Sequence, residues 1–299
     1  MAESLKHHSE IDTLWDFDHP AESETALRHS LETLDERADP ALWLELLTQI
    51  ARAQGLQRRF DEAHATLDTI EAQLDGATAR VRIRYLLERG RVYNSSRQPE
   101  RAEPYFTEAW ERACAAGEDI LAIDAAHMLA IIAPLEANME WNQRALELAE
   151  RSTDPRALHW RGTLCNNMGW IYYDAGDYEQ ALATFQRATA SRRAEGDPAL
   201  VRIAVWAEAR TLRSLGRVEE ALALQQKLLS EFDALGEQDG YVYEEIAECL
   251  AALGRHDEAR PYFARAYETL SRNPWLVESE PERSEPERLE RLRVLGAAS

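Results

Sequence analysis

The side chains best suited to recognition chemistry are arginines, amides and large aromatic rings. They are Arg52, Arg84, Arg91 and His127 in the first half, and Asn166, Asn167, Trp170, Tyr173, Trp206, Arg210 and Arg213 in the second. Arginine presents a planar fork of donors that matches a carboxylate, and asparagine can both donate to and accept from an extended peptide backbone. Tryptophan, tyrosine and arginine are enriched where binding partners anchor. A second reading stays open at this point. In it, Trp170 and Trp206 pack between helices, and the arginines pair with carboxylates of neighbouring segments.

Covalent and acid–base chemistry finds no comparable set. The glycines are isolated, so no phosphate-cradling loop is expected. No HExxH or Cys/His cluster at metal-ligand spacing occurs, and serine, histidine and aspartate are too scattered for a triad. Paired carboxylates such as Glu244–Glu245 read as a solvated helix face. The expectation is therefore no enzyme, no cofactor and no metal site.

These side chains need helices to position them. In the stretch from Asn166 to Ala188, Met168, Ile171, Tyr172 and Ala175 fall on one helical face. Gly176 can end that helix at low cost, and Asp177 can cap the next, which carries Ala181, Phe185 and Ala188. Weaker versions of this pair recur. The packing alanine of the second helix is read at Ala26, Ala63, Ala102, Ala181, Ala221 and Ala259, with Asn138 in the fourth slot, at intervals of 36 to 43 residues. Before the last six of these lie Ala51, Gly90, Ala126, Gly169, Ala209 and Ala247. The aromatic slot reads Leu67, Phe106, Asn142, Phe185, Gln225 and Phe263. The polar Asn138 and Asn142 imply either rotated helices or a shifted register in that unit. The turns read Gly176–Asp177, Gly216–Arg217 and Gly254–Arg255, with Arg58–Arg59, Arg97–Gln98 and Ala133–Pro134 in earlier units.

The run Met168–Gly169, Tyr172, Gly176, Tyr178, Ala181, Phe185, Ala188 resembles a tetratricopeptide repeat, with Cys165 where the family often has an aromatic. The resemblance covers roughly Leu42 to Leu270, and its long period is similar to forms found in bacterial regulators and scaffolds. It implies an all-α, right-handed α-solenoid of antiparallel helix pairs, about six to seven repeats with terminal capping helices. Linkers such as Arg112–Glu118 and Arg193–Pro198 are expected to account for some of the excess period, and longer helices such as Pro155 to Ala175 for more. In this family the first helices line a concave face that commonly binds peptides. By that resemblance Arg52, Arg84, Arg91, His127, Asn166, Asn167, Trp170, Tyr173, Trp206, Arg210 and Arg213 are peptide-binding candidates. They do not match the Lys/Asn carboxylate-clamp subclass, because basic residues are missing at several of its positions.

Composition sets the remaining bounds. With 54 acidic against 34 basic residues the net charge is -20, and such a surface repels phosphate backbones and anionic lipid. Neither nucleic acid nor membrane is expected as a partner. The three separated cysteines suit free thiols in a reducing compartment, and residues 1–10 lack a leader pattern, so a cytoplasmic location is expected. Residues 1–10 are expected to be disordered, 11–272 to form the solenoid, and 273–299 to be a charged linker and short capping helix. Trp15, Trp43 or Trp275 offer a route to a homo-oligomer. The expected function is a non-enzymatic scaffold binding a partner peptide or acidic segment. The alternative is a regulatory sensor solenoid answering to a peptide or small effector, with an enzyme on an α/α scaffold ranked below both.

Overall fold

The computed structural model describes residues 11, 13–273, 276 and 285–297. The expected disorder of residues 1–10, with His7 and His8, lies outside the described residues. So do Trp275 and most of the 278–287 linker. All regular structure among the described residues is helical: α1 Pro20–Thr33, α2 Pro40–Leu56, α3 Phe60–Glu71, α4 Ala79–Ser95, α5 Pro99–Ala116, α6 Asp119–Ile132, α7 Leu135–Arg151, α8 Ala157–Asp174, α9 Tyr178–Glu195, α10 Pro198–Ser214, α11 Val218–Leu235, α12 Gly240–Ala252, α13 His256–Leu270 and α14 Pro286–Ala297. The fold class is the expected all-α, tetratricopeptide-like solenoid. Six hairpins, α2/α3 to α12/α13, are flanked by α1 and α14.

The chain forms two compact units, one ending at Trp160 and the other beginning at Arg161. In both, a small residue on the first helix of a hairpin faces a bulky one on the second. A Cβ built on Gly90 would lie 2.5 Å from the Phe106 ring, and one on Gly169 would lie 2.5 Å from Phe185. Both rings are fully buried, and each contributes roughly 1.5–3 kcal/mol by leaving water. Where the first helix carries Ala126 or Ala209 instead, the slot is filled by buried Asn142 or Gln225. The divergent third hairpin, α6/α7, thus keeps its register and is not rotated. Asn142 is buried in the aromatic slot, and its amide donates to the Asn138 carbonyl (3.0 Å) and to the Asn138 side-chain oxygen (2.6 Å).

Two details of the frame need correction. In α1 the packed positions are Ser23 and Leu27, with Ala26 only half-buried, so the first slot lies three residues earlier than expected. Helix length accounts for more of the long period than linkers do, as expected, but the linkers expected at 112–118 and 193–198 are themselves largely helical. Second helices α5, α9 and α11 each run 18 residues, and α5 and α9 absorb most of the presumed linkers. Each ends on a left-handed glycine, Gly117, Gly196 and Gly236. Aspartate caps open α2, α9, α10 and α12, with Asp177 accepting from the Gln180 amide as its position suggests.

Candidate interaction faces

In the first unit, the inner faces of α2, α4 and α6 hold an ionic network in place of a free basic patch. Arg91 donates to Glu88 on its own helix and to Asp124 on α6, both at 2.5 Å. Arg80 reaches Glu45 on α2 (3.0 Å) and Glu118 (2.6 Å), and Arg84 stands 3.8 Å from Glu45. Burial disfavours ionisation of Asp124, but the guanidinium groups of Arg91 and Arg52 outweigh it and hold the carboxyl below its ordinary value. The His127 ring lies 5.4 Å from that of Trp160 at a tilt of 59°, and burial lowers its basicity. Arg52 lies over two rings of the chain's own leading segment, Trp15 at 5.5 Å and Phe17 at 5.2 Å. The Trp15 indole also donates to Gln49 (3.1 Å), so this segment packs on the second half of the α2 face.

The second unit carries a row of rings across three successive first helices. Tyr173 and Trp170 on α8 meet at 5.3 Å, Trp170 meets Trp206 on α10 at 5.9 Å, and Trp206 meets Tyr241 on α12 at 5.9 Å. The Trp206 indole donates to the Tyr241 carbonyl (3.2 Å), and the Tyr173 hydroxyl bonds with Ser214 (2.9 Å). All four rings are half-buried, as are Asn166 and Asn167 on α8. Arg210 lies over both Tyr173 (5.8 Å) and Trp206 (5.5 Å).

Arg210 is already engaged, because it donates to Glu245 (2.8 Å), as does Arg213 (2.8 Å and 3.0 Å). Glu245 is 1% exposed and serves both guanidinium groups. At the end of the unit α14 supplies the next partners. Arg288 pairs with Glu244 and lies 5.2 Å over Tyr241, while Arg291 pairs with Glu248.

The two readings of the sequence therefore divide the residues between them. Arg84, Arg91, Arg210 and Arg213 are internally paired, and Arg52 is covered by Trp15 and Phe17. Trp170, Tyr173 and Trp206 pack between helices yet keep part of their surface open. The sequence reading missed Tyr241. Relative to Gly169, Ala209 and Ala247, the ring sits one residue after, three before and six before. A row that retreats about one turn per repeat escapes a search at constant offset. Among the described residues, no group of three or more His, Cys, Asp or Glu is placed to hold a metal ion, and no helix is long and apolar enough to cross a membrane.

Comparison with known proteins agrees with this architecture. The Tetratricopeptide repeat family profile matches residues 166–239 and 233–274. Curated proteins gave no significant sequence match. Among solved structures, the apo form of RapI is similar over 97% of this chain and 79% of its own, with a TM-score of 0.72 and 12% identity. Aspartyl phosphate phosphatase F from Bacillus subtilis is similar over 98% and 78%, with a TM-score of 0.60 and 15% identity. The signal transduction ATPase PH0952 from Pyrococcus horikoshii, described as having a tetratricopeptide repeat sensor, is similar over 92% of this chain, which spans 42% of that protein (TM-score 0.66, 14% identity). At these identities the likeness shows the fold.

Proposed function

We propose, on the premise of the tetratricopeptide repeats matched over residues 166–274, that the chain is a non-enzymatic interaction scaffold. The first-helix face of its second unit takes up a peptide segment of a protein partner. The observation that carries this is the half-buried row Tyr173–Trp170–Trp206–Tyr241, which offers aromatic surface across three successive first helices. Asn166 and Asn167, beside the row on α8, are suited to a peptide backbone. An acidic partner residue would compete with Glu245 for Arg210 and Arg213, so acidity of the partner adds selectivity while the rings supply affinity.

Capture of partners from a lysate of the native host by wild type and by Trp170→Ser tests this reading. The expected result is specific partners lost from the variant while its far-ultraviolet circular dichroism stays helical. Equal recovery by the two proteins would sink the assignment.

A second reading, a sensor that changes curvature when an effector peptide or small molecule binds, is favoured by the likeness to a protein described as having a tetratricopeptide repeat sensor. It requires a ligand-dependent change in solution scattering, which the scaffold reading does not.

A further inference from the structure

Beside the ring row, the second unit holds a pocket of about 530 Å³ between the start of α10, the end of α11 and the start of α12. Its apolar wall is built from Ile203, Trp206, Phe232 and Tyr241, and Arg202 stands at its edge. We infer that this pocket is the anchoring subsite of the peptide-binding face: it takes one bulky apolar side chain of the partner and pairs Arg202 with a carboxylate on the adjoining residue. The inference rests on the peptide-binding reading above and adds to it the chemistry of the anchor.

Three observations support it. The first is charge. On this side of the unit Arg210, Arg213, Arg288 and Arg291 are all matched to glutamates, whereas Arg202 has no carboxylate partner among the described residues. Its one contact of note is the Phe232 ring, 5.1 Å away. A guanidinium resting on an aromatic face keeps its edge donors available for a planar anion.

The second is what opposes it. Asp239 also lines the pocket, but its carboxylate accepts from the Tyr241 amide (2.8 Å) and the Val242 amide (3.0 Å) as the cap of α12. Glu237, which is exposed, is then the uncommitted acid of the lining. A ligand carboxylate is drawn to Arg202 and repelled by Glu237, which fixes the direction of the bound segment. The third is apolar surface: Ile203 is 57% exposed beside three rings, and the volume suits one large side chain with part of its neighbours.

The probe is a phage-displayed library of random twelve-residue peptides, panned against the immobilised full chain. The expected outcome is a consensus of Phe, Leu, Met or Trp adjoining Asp or Glu. A synthetic peptide of that consensus should bind Arg202→Glu about tenfold or more weaker than wild type, the loss expected for a charge-assisted hydrogen bond. Ile203→Asp, at an exposed position that leaves the core intact, should weaken it similarly, and Glu237→Gln should not.

A consensus lacking the apolar–acidic pair overturns the subsite. So does a peptide lost with Trp170→Ser but indifferent to Arg202→Glu and Ile203→Asp, and that result leaves the peptide-binding face standing. No enriched peptide, or one indifferent to all of these variants, overturns both.

Discussion

Single side chains in this protein are tuned by burial and by one or two charged neighbours, as His64 illustrates. Its Nδ1 accepts from Arg89 (2.8 Å), which also donates to Asp68 and lies 5.4 Å over Tyr85. Burial first, and the Arg89 charge second, hold the imidazole below its ordinary value of 6.5. The folded state thus binds the proton less readily than the unfolded chain. This contribution to stability is fully present above about 6.5 and is lost as the pH falls from there toward the depressed folded value. The urea midpoint should accordingly fall between pH 7 and pH 5. His64→Gln, which keeps an acceptor for Arg89 but does not titrate, should flatten part of that slope. An unchanged slope would mean that His64 is not responsible.

At the scale of helices and turns, the sequence already contained most of what the structure shows. The small-against-large pairs Gly90/Phe106 and Gly169/Phe185 were legible because a glycine inside a helix and a phenylalanine sixteen residues later leave a clear spacing. Asn142 and Gln225 were harder, since a polar side chain in an apolar slot looks like a register error until its burial is seen. The turn residues Arg58 and Arg97 sat in the expected places, but only the backbone shows that both adopt positive φ, 61° and 63°, where later hairpins use Gly176, Gly216 and Gly254. Left-handed backbone costs a side-chain-bearing residue roughly 1–2 kcal/mol, partly offset by the greater unfolded freedom of glycine. Arg58→Gly and Arg97→Gly should each stabilise by about 0.5 kcal/mol, read as a higher urea midpoint. The candidate site was less legible. Which arginines find carboxylates depends on contacts between repeats, as for Arg91 with Asp124 and Arg210 with Glu245, and helical periodicity carries no information about them.

For the molecule as a whole, α14 packs on α13 and covers an apolar face of the second unit. Leu292 of α14 is fully buried, and Gly296 comes so near α13 that an added Cβ would lie 2.7 Å from the Ala264 backbone nitrogen. Leu292→Ala should cost about 2–5 kcal/mol in the second unit. Hydrogen exchange should then show lost protection in α12–α14 and unchanged protection in α1–α7; a uniform loss would refute so local a cap. The paired arginines bear on a different quantity, the speed of encounter. A guanidinium already matched to Asp124 or Glu245 casts little field into solvent, so the inner faces exert scant long-range pull, while the net charge of -20 slows any acidic partner. Complexes formed here would assemble at unsteered rates, faster in salt for an acidic segment, and their discrimination would reside in how slowly the right partner leaves.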